Sequence, residues 1–249
     1  MADMADDWID TRELPELPDA EIHHHHRDVL GGWLRPTVFG MMDGLVSNFA
    51  LIVGFAGGHA APKTVALAGF AGLAAGAFSM ATGEYISVQS QNESTQAELM
   101  VERNELKSNA EAELSELVQA YVARGVDAHV AEEFARQITH DPDQALIVHA
   151  QEELGVDPTQ LPSPHIAAGS SFLSFSVGAF IPLLPYLLGV TTALISTILA
   201  AITLFAAGAL TSRFTARGWL YTGLRQLAFG AVAALVTFGV GALFHVSTG

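Results

Sequence analysis

The sequence contains no cysteine, which excludes disulfide bonds, thiolate zinc sites, iron–sulfur clusters and cysteine nucleophiles. Basic side chains are scarce as well, because 11 lysines and arginines stand against 26 aspartates and glutamates in 249 residues. The resulting net charge of −15 argues against nucleic-acid binding, since phosphate groups require a basic surface. The chemistry of this chain must therefore rest largely on carboxylates and histidines.

Charge of either sign is missing from long parts of the chain. Half of the residues are hydrophobic, only 15% are charged, and no carboxylate side chain follows Asp157. Apart from Asp43, the acidic residues all lie in residues 1–35 and 84–157. This separation indicates a membrane-embedded body that carries an acidic soluble insert.

Five segments are long and apolar enough to cross a bilayer, which takes about 20 residues. They are residues 37–58, 64–86, 166–188, 190–212 and 218–246. We therefore predict an all-α, polytopic membrane protein with five transmembrane helices and a cytosolic three-helix insert between the second and third of them. The predicted domains are a disordered acidic leader (1–35), helices 1 and 2 (36–90), the insert (91–164) and helices 3 to 5 (165–249).

The leader and the flanking charges predict the orientation. Residues 1–35 lack the basic and apolar regions of a secretory signal, and the His23–His26 run within them suggests at most weak, incidental metal binding. Basic residues flank the spans almost entirely on one side, where they include Arg27, Arg35, Arg103, Lys107, Arg213 and Arg217. The opposite side has only Lys63, so the N-terminus and the insert are predicted to be cytosolic.

The insert is predicted to contain helices over Gln96–Arg124, Asp127–Thr139 and Pro142–Leu154. Four carboxylates of the first helix share an arc of about 80° on one face. These are Glu102, Glu105, Glu113 and Glu116. The two pairs would lie about 16 Å apart along the helix axis, which predicts two separate carboxylate clusters. A divalent cation would relieve the repulsion within each pair, and the alternative is a solvated acidic face.

A histidine on the third predicted helix strengthens the metal-binding interpretation. His149 and Glu153 are i,i+4 neighbours on one face. Carboxylate oxygens combined with an imidazole nitrogen suit Fe²⁺, Mn²⁺ or Zn²⁺. A capping or packing histidine is the alternative for His149.

Three side chains in the first two spans are further candidates. Asp43 lies about 9 Å from the cytosolic end of helix 1, and ionisable groups at such positions are usually functional. Met80 and Glu84 share one face of helix 2 at a comparable depth. The three side chains can thus converge on one path, although Met80 alone would suit a lipid-facing or core position and Asp43 a structural charge.

Two long motifs resemble those of the vacuolar iron transporter family. Residues 43–48 (DGLVSN) are similar to its first signature and residues 76–91 (GAFSMATGEYISVQSQ) to its second. The Glu-rich helices ending at Gly155 and the segment from Ser171 to Pro185 extend the resemblance over roughly residues 31–246. The resemblance implies a homodimer of five-helix subunits that moves Fe²⁺ out of the cytosol in exchange for protons.

The resemblance also implies roles for individual residues. Asp43 and Met80 would line the path, and Glu84 would lie near its cytosolic mouth. The metal ligands of the insert would be Glu102, Glu105, Glu113, Glu116 and Glu153. His149 departs from the family pattern, because many relatives have methionine there, and this departure bears on metal preference.

We therefore predict that the protein is a transporter of divalent metal and not an enzyme. We expect no prosthetic group. The bound and transported ion would be Fe²⁺, with Zn²⁺ and Mn²⁺ as further candidates. Its membrane would be the bacterial plasma membrane, or the vacuolar membrane in a eukaryote. The alternative is a membrane-anchored metal-binding or ferroxidase-like protein. The insert lacks the ExxH motif of ferroxidases, and a charge such as Asp43 within a span serves no purpose in an anchor.

Overall fold

The computed structural model describes residues 32–213, 215 and 217–244. All regular secondary structure in these ranges is helical. Most of the predicted leader, including the His23–His26 run, lies outside the described residues. Where the description begins, Gly32 and Trp33 lead directly into the first helix.

The described ranges contain eight α-helices, the fifth of which continues as a π-helical turn at Ala150–Leu154. They are α1 (Leu34–Gly57), α2 (Pro62–Ser108), α3 (Ala110–Ala123), α4 (Ala128–Thr139), α5 (Pro142–His149), α6 (Pro164–Leu187), α7 (Ala193–Thr211) and α8 (Trp219–Phe244). The predicted all-α fold is confirmed for this part of the chain.

Five of these helices, α1, α2, α6, α7 and α8, are long and apolar enough to cross a membrane. Their most apolar 18-residue windows have a mean hydropathy of 1.6 to 2.2. Large apolar side chains such as Leu67 and Leu235 remain exposed on their outer faces, as expected where lipid replaces water. The five predicted spans are confirmed, with ends that differ by a few residues except for the far end of α2.

Helix α1 packs against each of the other four spans, and most extensively against α6. Glycines permit this close approach, because a Cβ atom at Gly44 would collide with the carbonyl oxygen of Phe175, and one at Gly178 with that of Met41. The residues of α1 that face α2 and α6 are thereby held in a fixed position.

Helix α2 is much longer than the predicted second span. It has 47 residues and therefore a length of about 70 Å, and it passes positions 90 and 91 without a break. The predicted second span, residues 64–86, covers only part of this helix, because the apolar half leads directly into the charged half. One rigid rod therefore connects the membrane-spanning part to the insert.

The prediction of one continuous helix over residues 96–124 is wrong. Helix α2 ends at Ser108, and α3 begins at Ala110 after Asn109 takes up a non-helical conformation with φ −133° and ψ 37°. Asparagine favours such positions because its amide competes with the helical hydrogen bonds of the backbone. This break redirects the chain and brings α3 back towards α2.

The other two helices of the insert agree with the sequence prediction. The carboxylate of Asp127 accepts a hydrogen bond from the backbone N–H of His129 (2.9 Å) at the start of α4. Asp141 caps α5 in the same way by accepting from the N–H of Asp143 at 2.9 Å. Both caps satisfy backbone donors that a helix N-terminus otherwise leaves unpaired.

Candidate metal-binding sites

Four candidate ligands, each from a different helical element, meet at one point, and we call them the quartet. Glu102 comes from α2, Glu113 from α3, His149 from the last position of α5 and Glu153 from the π-helical turn. Each offers a ligand atom, and these four atoms lie within 4.8 Å of one another. The break at Asn109 makes this possible, because Glu102 and Glu113 lie on opposite sides of it.

The imidazole of His149 lies at the centre of the quartet. Its Nδ1 atom is 3.1 Å from Oε1 of Glu102, 3.2 Å from Oε1 of Glu153 and 3.6 Å from Oε2 of Glu113. His149, Glu102 and Glu113 are buried, whereas the side chain of Glu153 is 40% exposed and forms the open side. Three carboxylates therefore converge on one nitrogen in a largely buried site.

Several polar atoms of the quartet have no hydrogen-bond partner among the described residues. They are Nε2 of His149 and the two oxygens Oε1 of Glu102 and Oε2 of Glu113, which lie near Nδ1 of His149 but form no hydrogen bond with it, since Nδ1 is paired with Glu153. Buried polar atoms in folded proteins are almost always paired, so unpaired ones require an explanation. A cation held between the carboxylates accounts for the two oxygen atoms.

The electrostatics of the quartet also favour a cation. Burial and the nearby charges of Glu153 and Glu113 raise the pKa of Glu102 to about 7. The pKa of Glu113 is also raised, first by burial and then by Glu116, although His149 opposes the shift. Both shifts mean that, without a metal ion, Glu102 and Glu113 are protonated more readily than ordinary glutamates.

The donor set suits a first-row divalent ion. Three carboxylate oxygens and one imidazole nitrogen match the preferences of Fe²⁺, Mn²⁺ and Zn²⁺. Bonds of about 2.1 Å place opposite ligand atoms about 4.2 Å apart, and the four atoms here lie within 4.8 Å of one another. A small inward movement of the side chains would complete the coordination.

The structure replaces the two predicted clusters with one. Glu102 and Glu113 were expected about 16 Å apart on a straight helix, yet their ligand atoms lie within 4.8 Å of each other. Glu105 and Glu116 are exposed and lie outside the quartet. They remain close enough to raise the pKa of Glu102 and Glu113, respectively.

A group of side chains that the sequence analysis missed holds the π-helical turn against α3, and we call it the clasp. The hydroxyl of Tyr121 donates a hydrogen bond to Oε1 of Glu152 (3.1 Å), and Arg124 forms an ion pair with Oε2 of the same carboxylate. The Arg124 guanidinium also lies over the Tyr121 ring, 5.7 Å from its centroid. Since Glu152 precedes Glu153, the clasp fixes the backbone that carries one ligand of the quartet.

In the membrane-spanning part, Asp43 and Met80 line the same cavity, which has a volume of about 260 Å³. The cavity lies between α1, α2 and α6, and its other lining residues are Ser47, Asn48, Leu51, Gly72, Gly76, Ser79 and Phe175. The carboxylate of Asp43 is half-buried and forms no hydrogen bond or ion pair with a described residue. The cavity thus combines a carboxylate, a thioether and several hydroxyl and amide groups.

Asn48 is a further polar residue of this cavity, and in the sequence it stands out only as part of the motif at residues 43–48. It is buried, and its Nδ2 donates a hydrogen bond to the carbonyl of Ala179 at 2.6 Å. Its Oδ1 atom has no partner among the described residues. An unpaired oxygen is thus available one turn beyond Asp43, and only its position within residues 43–48 signalled this.

Glu84 lies outside this cavity and is paired instead with an arginine of α1. Its carboxylate, 9% exposed, accepts hydrogen bonds from Nη2 of Arg35 at 3.2 and 3.4 Å. Arg35 also lines a second cavity of about 490 Å³, together with Val38, Phe39, Met42, Asp43, Val46 and Gln226. Asp43 therefore borders both cavities, and Arg35 connects the second one to Glu84.

Comparison with known proteins gives relatives that align over most of the chain. The vacuolar iron transporter of Acanthamoeba castellanii is 40% identical over 228 residues, which cover 88% of this chain and 82% of that protein. Vacuolar iron transporter 1 of Arabidopsis thaliana is 29% identical over 231 residues, covering 90% and 91%. Vacuolar iron transporter 1 of Oryza sativa subsp. japonica is 30% identical over 240 residues, covering 91% and 94%.

A family match covers the same region of the chain. Residues 34–242 match the VIT family, a range that begins with α1 and ends within α8. It includes the five spans, the cavity lined by Asp43 and Met80, and the quartet. Because this is a family of transporters, the prediction that the protein is not an enzyme is confirmed. The chain is an integral membrane protein that belongs to the VIT family.

Proposed function

We propose that the protein exports Fe²⁺ from the cytosol in exchange for protons, with Mn²⁺ and Zn²⁺ as further substrates. Membership of the VIT family and the names of its relatives support iron as the substrate. The observation that carries the proposal is the cavity between three spans, in which the carboxylate of Asp43 and the thioether of Met80 face the same space. An intramembrane carboxylate that has no basic partner among the described residues suits a passing cation.

Capture of the ion is assigned to the quartet. The insert is strongly acidic and attracts cations from the surrounding solution, which raises their local concentration near the protein. Glu102, Glu113, His149 and Glu153 then replace part of the hydration shell of the ion. Glu105 and Glu116, which are exposed beside the quartet, serve as first contacts during entry.

Transfer continues along α2 to its membrane-spanning half. Glu84 lies between the quartet and the Asp43 cavity in the order of the chain, and we assign it to the entrance. From there the ion moves to Asp43 and Met80, where a hard oxygen and a softer sulfur provide a site that suits Fe²⁺ better than Mg²⁺ or Ca²⁺. Asn48 offers an additional oxygen on the far side of Asp43.

Proton coupling follows from competition for the same oxygen atoms. A carboxylate ligand binds metal only when it is ionised, so protonation from the acidic side weakens metal binding and releases the ion there. Asp43 or Glu84 would carry the proton on the return step. This mechanism requires only that one carboxylate accept either a metal ion or a proton.

The resemblance described above supports assembly as a homodimer, with the N-terminus and the insert in the cytosol. We assign the protein to the bacterial plasma membrane, or to the vacuolar membrane in a eukaryotic host. Cross-linking in native membranes tests whether the protein is a homodimer. The accessibility of labels placed in the insert tests whether the insert faces the cytosol.

Purified protein in proteoliposomes provides the test. An imposed pH gradient, acidic on the side away from the insert, should drive Fe²⁺ towards the acidic side, and collapse of the gradient with a protonophore should abolish this accumulation. Vesicles without protein give the background. Tight Fe²⁺ binding without any flux would contradict the proposal and favour a membrane-anchored metal-binding protein.

A further inference from the structure

The ion pair between Arg35 and Glu84 joins two helices at the entrance proposed above. Arg35 lies in the first turn of α1, and Glu84 lies in the middle of α2. The Glu84 side chain is 9% exposed, whereas the Arg35 side chain is 77% exposed. The carboxylate is therefore fixed within the structure, and the guanidinium reaches it from the surface.

The same guanidinium lies beside the route to Asp43. Arg35 and Asp43 line one cavity of about 490 Å³, to which Gln226 of α8 contributes a polar side chain. Among the described residues that line this cavity, Arg35 alone is basic. A cation approaching Asp43 from the side of Arg35 must pass the positive charge of the guanidinium, which opposes its entry.

We propose that Arg35 acts as a tethered cation that competes with the transported metal for Glu84. In the metal-free protein the guanidinium occupies the carboxylate, and an arriving divalent ion displaces it. When the ion moves on to Asp43, the guanidinium returns to Glu84 and prevents the ion from moving back. Arg35 thus holds Glu84 in place until a metal ion replaces the guanidinium, and it lowers the affinity of Glu84 for metal.

The unequal burial of the two partners supports exchange over a purely structural ion pair. An exposed arginine can leave a carboxylate at little energetic cost, because water solvates the released guanidinium. The buried carboxylate cannot turn to solvent in the same way and needs another cation when the guanidinium leaves. A divalent metal ion can be that second cation. In a purely structural ion pair no other cation would replace the guanidinium.

Replacement of Arg35 by Gln should therefore tighten metal capture. We expect KM for Fe²⁺ to fall roughly two- to fivefold, which is the range for loss of a competing exposed ion pair. The maximal rate should stay the same or decrease, since the ion is held longer at Glu84 and is free to move back. Arg35→Lys, which keeps the charge, should remain close to the wild type.

Two variants separate this effect from general changes in charge or stability. Arg217 is exposed and forms no ion pair with a described residue, so Arg217→Gln removes one positive charge without touching Glu84. In the double variant Arg35→Gln/Glu84→Gln the decrease in KM should disappear, because the competed carboxylate is gone. Thermal unfolding of each purified variant shows whether the protein is still folded.

The inference rests on the proposed transport function, and the experiment distinguishes the two. Initial Fe²⁺ flux is measured against Fe²⁺ concentration in proteoliposomes of wild type, Arg35→Gln, Arg35→Lys, Arg217→Gln and the double variant. Lack of flux by the wild type contradicts the proposed function. Flux by the wild type combined with an unchanged or higher KM in folded Arg35→Gln contradicts the role of Arg35.

If Arg35→Gln does not fold, Arg35→Met provides the same test with a side chain that preserves more of the aliphatic packing. A second readout is independent of transport. Mn²⁺ binding in detergent, measured on protein in which Glu102 and Glu113 are both Gln, reports the sites outside the quartet. Arg35→Gln should tighten this binding about two- to fivefold, and equal binding would also contradict the inference.

Discussion

The two candidate metal sites of this protein are built in opposite ways. The quartet brings three carboxylates and an imidazole within 4.8 Å of one another. The membrane-spanning cavity has one carboxylate, one thioether and a few neutral oxygens around about 260 Å³. The first arrangement is dense in charge and ligands, and the second is sparse.

This difference fits two successive tasks. A site that collects a scarce ion benefits from many ligands, whereas a site within a path must release the ion as well as bind it. The sparse cavity, with Asp43 as its one carboxylate, also limits the number of charges that the spans must accommodate. The predictions below test this division between capture and passage.

The largest effect is expected for Asp43→Asn, which removes a charge and keeps the size of the side chain. Loss of a group that only orients a metal ligand already lowers affinity about 10- to 100-fold, so removal of a direct ligand should reduce Fe²⁺ flux to background. Fe²⁺ binding by the quartet should remain unchanged. Near wild-type flux from the folded variant would remove Asp43 from the path.

The second prediction concerns the buried acids of the quartet. Glu102→Gln/Glu113→Gln should weaken Fe²⁺ binding to the insert by roughly 100-fold or more, because two charged ligands are lost. The matched control, Glu105→Gln/Glu116→Gln, removes the same charge from exposed positions and should have a much smaller effect. Titration calorimetry of the full-length protein in detergent compares the two. Equal losses would mean that the acidic face acts as a whole, without a defined quartet.

The third prediction concerns His149, whose imidazole lies at the centre of the quartet. His149→Met should weaken Zn²⁺ binding to the insert by roughly 30-fold, because zinc favours an imidazole ligand, and Mn²⁺ binding by only a few-fold. Competition with a metal-sensitive dye measures both ions on the same protein. Equal losses for Zn²⁺ and Mn²⁺ would show that His149 acts through packing and not as a ligand.

The fourth prediction is a dependence on pH. The pKa of Glu102 is raised to about 7 in the metal-free site, so most Glu102 side chains are protonated at pH 6 and ionised at pH 8. Metal must displace that proton, and affinity should therefore fall about tenfold between pH 8 and pH 6. The Glu102→Gln variant should show a shallower dependence. An affinity that rises on acidification would contradict this assignment.

The same shift has a consequence for stability without metal. Because the pKa is raised from 4.5, the protonated form of Glu102 is favoured in the folded state. Its contribution to stability is present below about pH 4.5 and is lost as the pH rises through about 7. Thermal unfolding without metal should shift to lower temperature between pH 6 and pH 8, and metal should stabilise the protein more at pH 8.

The smallest effect is expected for the clasp. Arg124→Gln removes the ion pair with Glu152 and should lower Fe²⁺ affinity of the insert about threefold, because Glu153 is held less firmly and Arg124 is largely exposed. Arg136→Gln is the control, since Arg136 pairs with Glu132 along α4, outside the quartet. If both variants bind Fe²⁺ as tightly as the wild type, the clasp does not position the ligand.

The spans and the candidate residues were accessible from the sequence because each depends on a local pattern. An apolar run of about 20 residues predicts a span without knowledge of its neighbours. Asp43 and Met80 were likewise selected from their place within spans, and the structure brings both to one cavity. The aspartates that cap α4 and α5 also depend only on the residues next to them in the chain.

The geometry of the quartet was not accessible, because it depends on where the chain reverses. Asn109 is one weak helix former between two charged helical stretches, and a straight helix over this region satisfies the local pattern equally well. The partner of Glu84 was also missed, since Arg35 lies 49 residues away in the chain. Contacts of this kind arise from packing between helices and leave no periodic signal.

The division between capture and passage is tested most directly by measuring Fe²⁺ binding and Fe²⁺ flux on the same two variants. Asp43→Asn should keep tight binding at the insert and lose flux at every Fe²⁺ concentration. Glu102→Gln/Glu113→Gln should lose tight binding and require more Fe²⁺, yet approach the wild-type flux at saturation. If the second variant remains inactive at saturating Fe²⁺, or the first loses tight binding as well, the two sites do not have separate tasks.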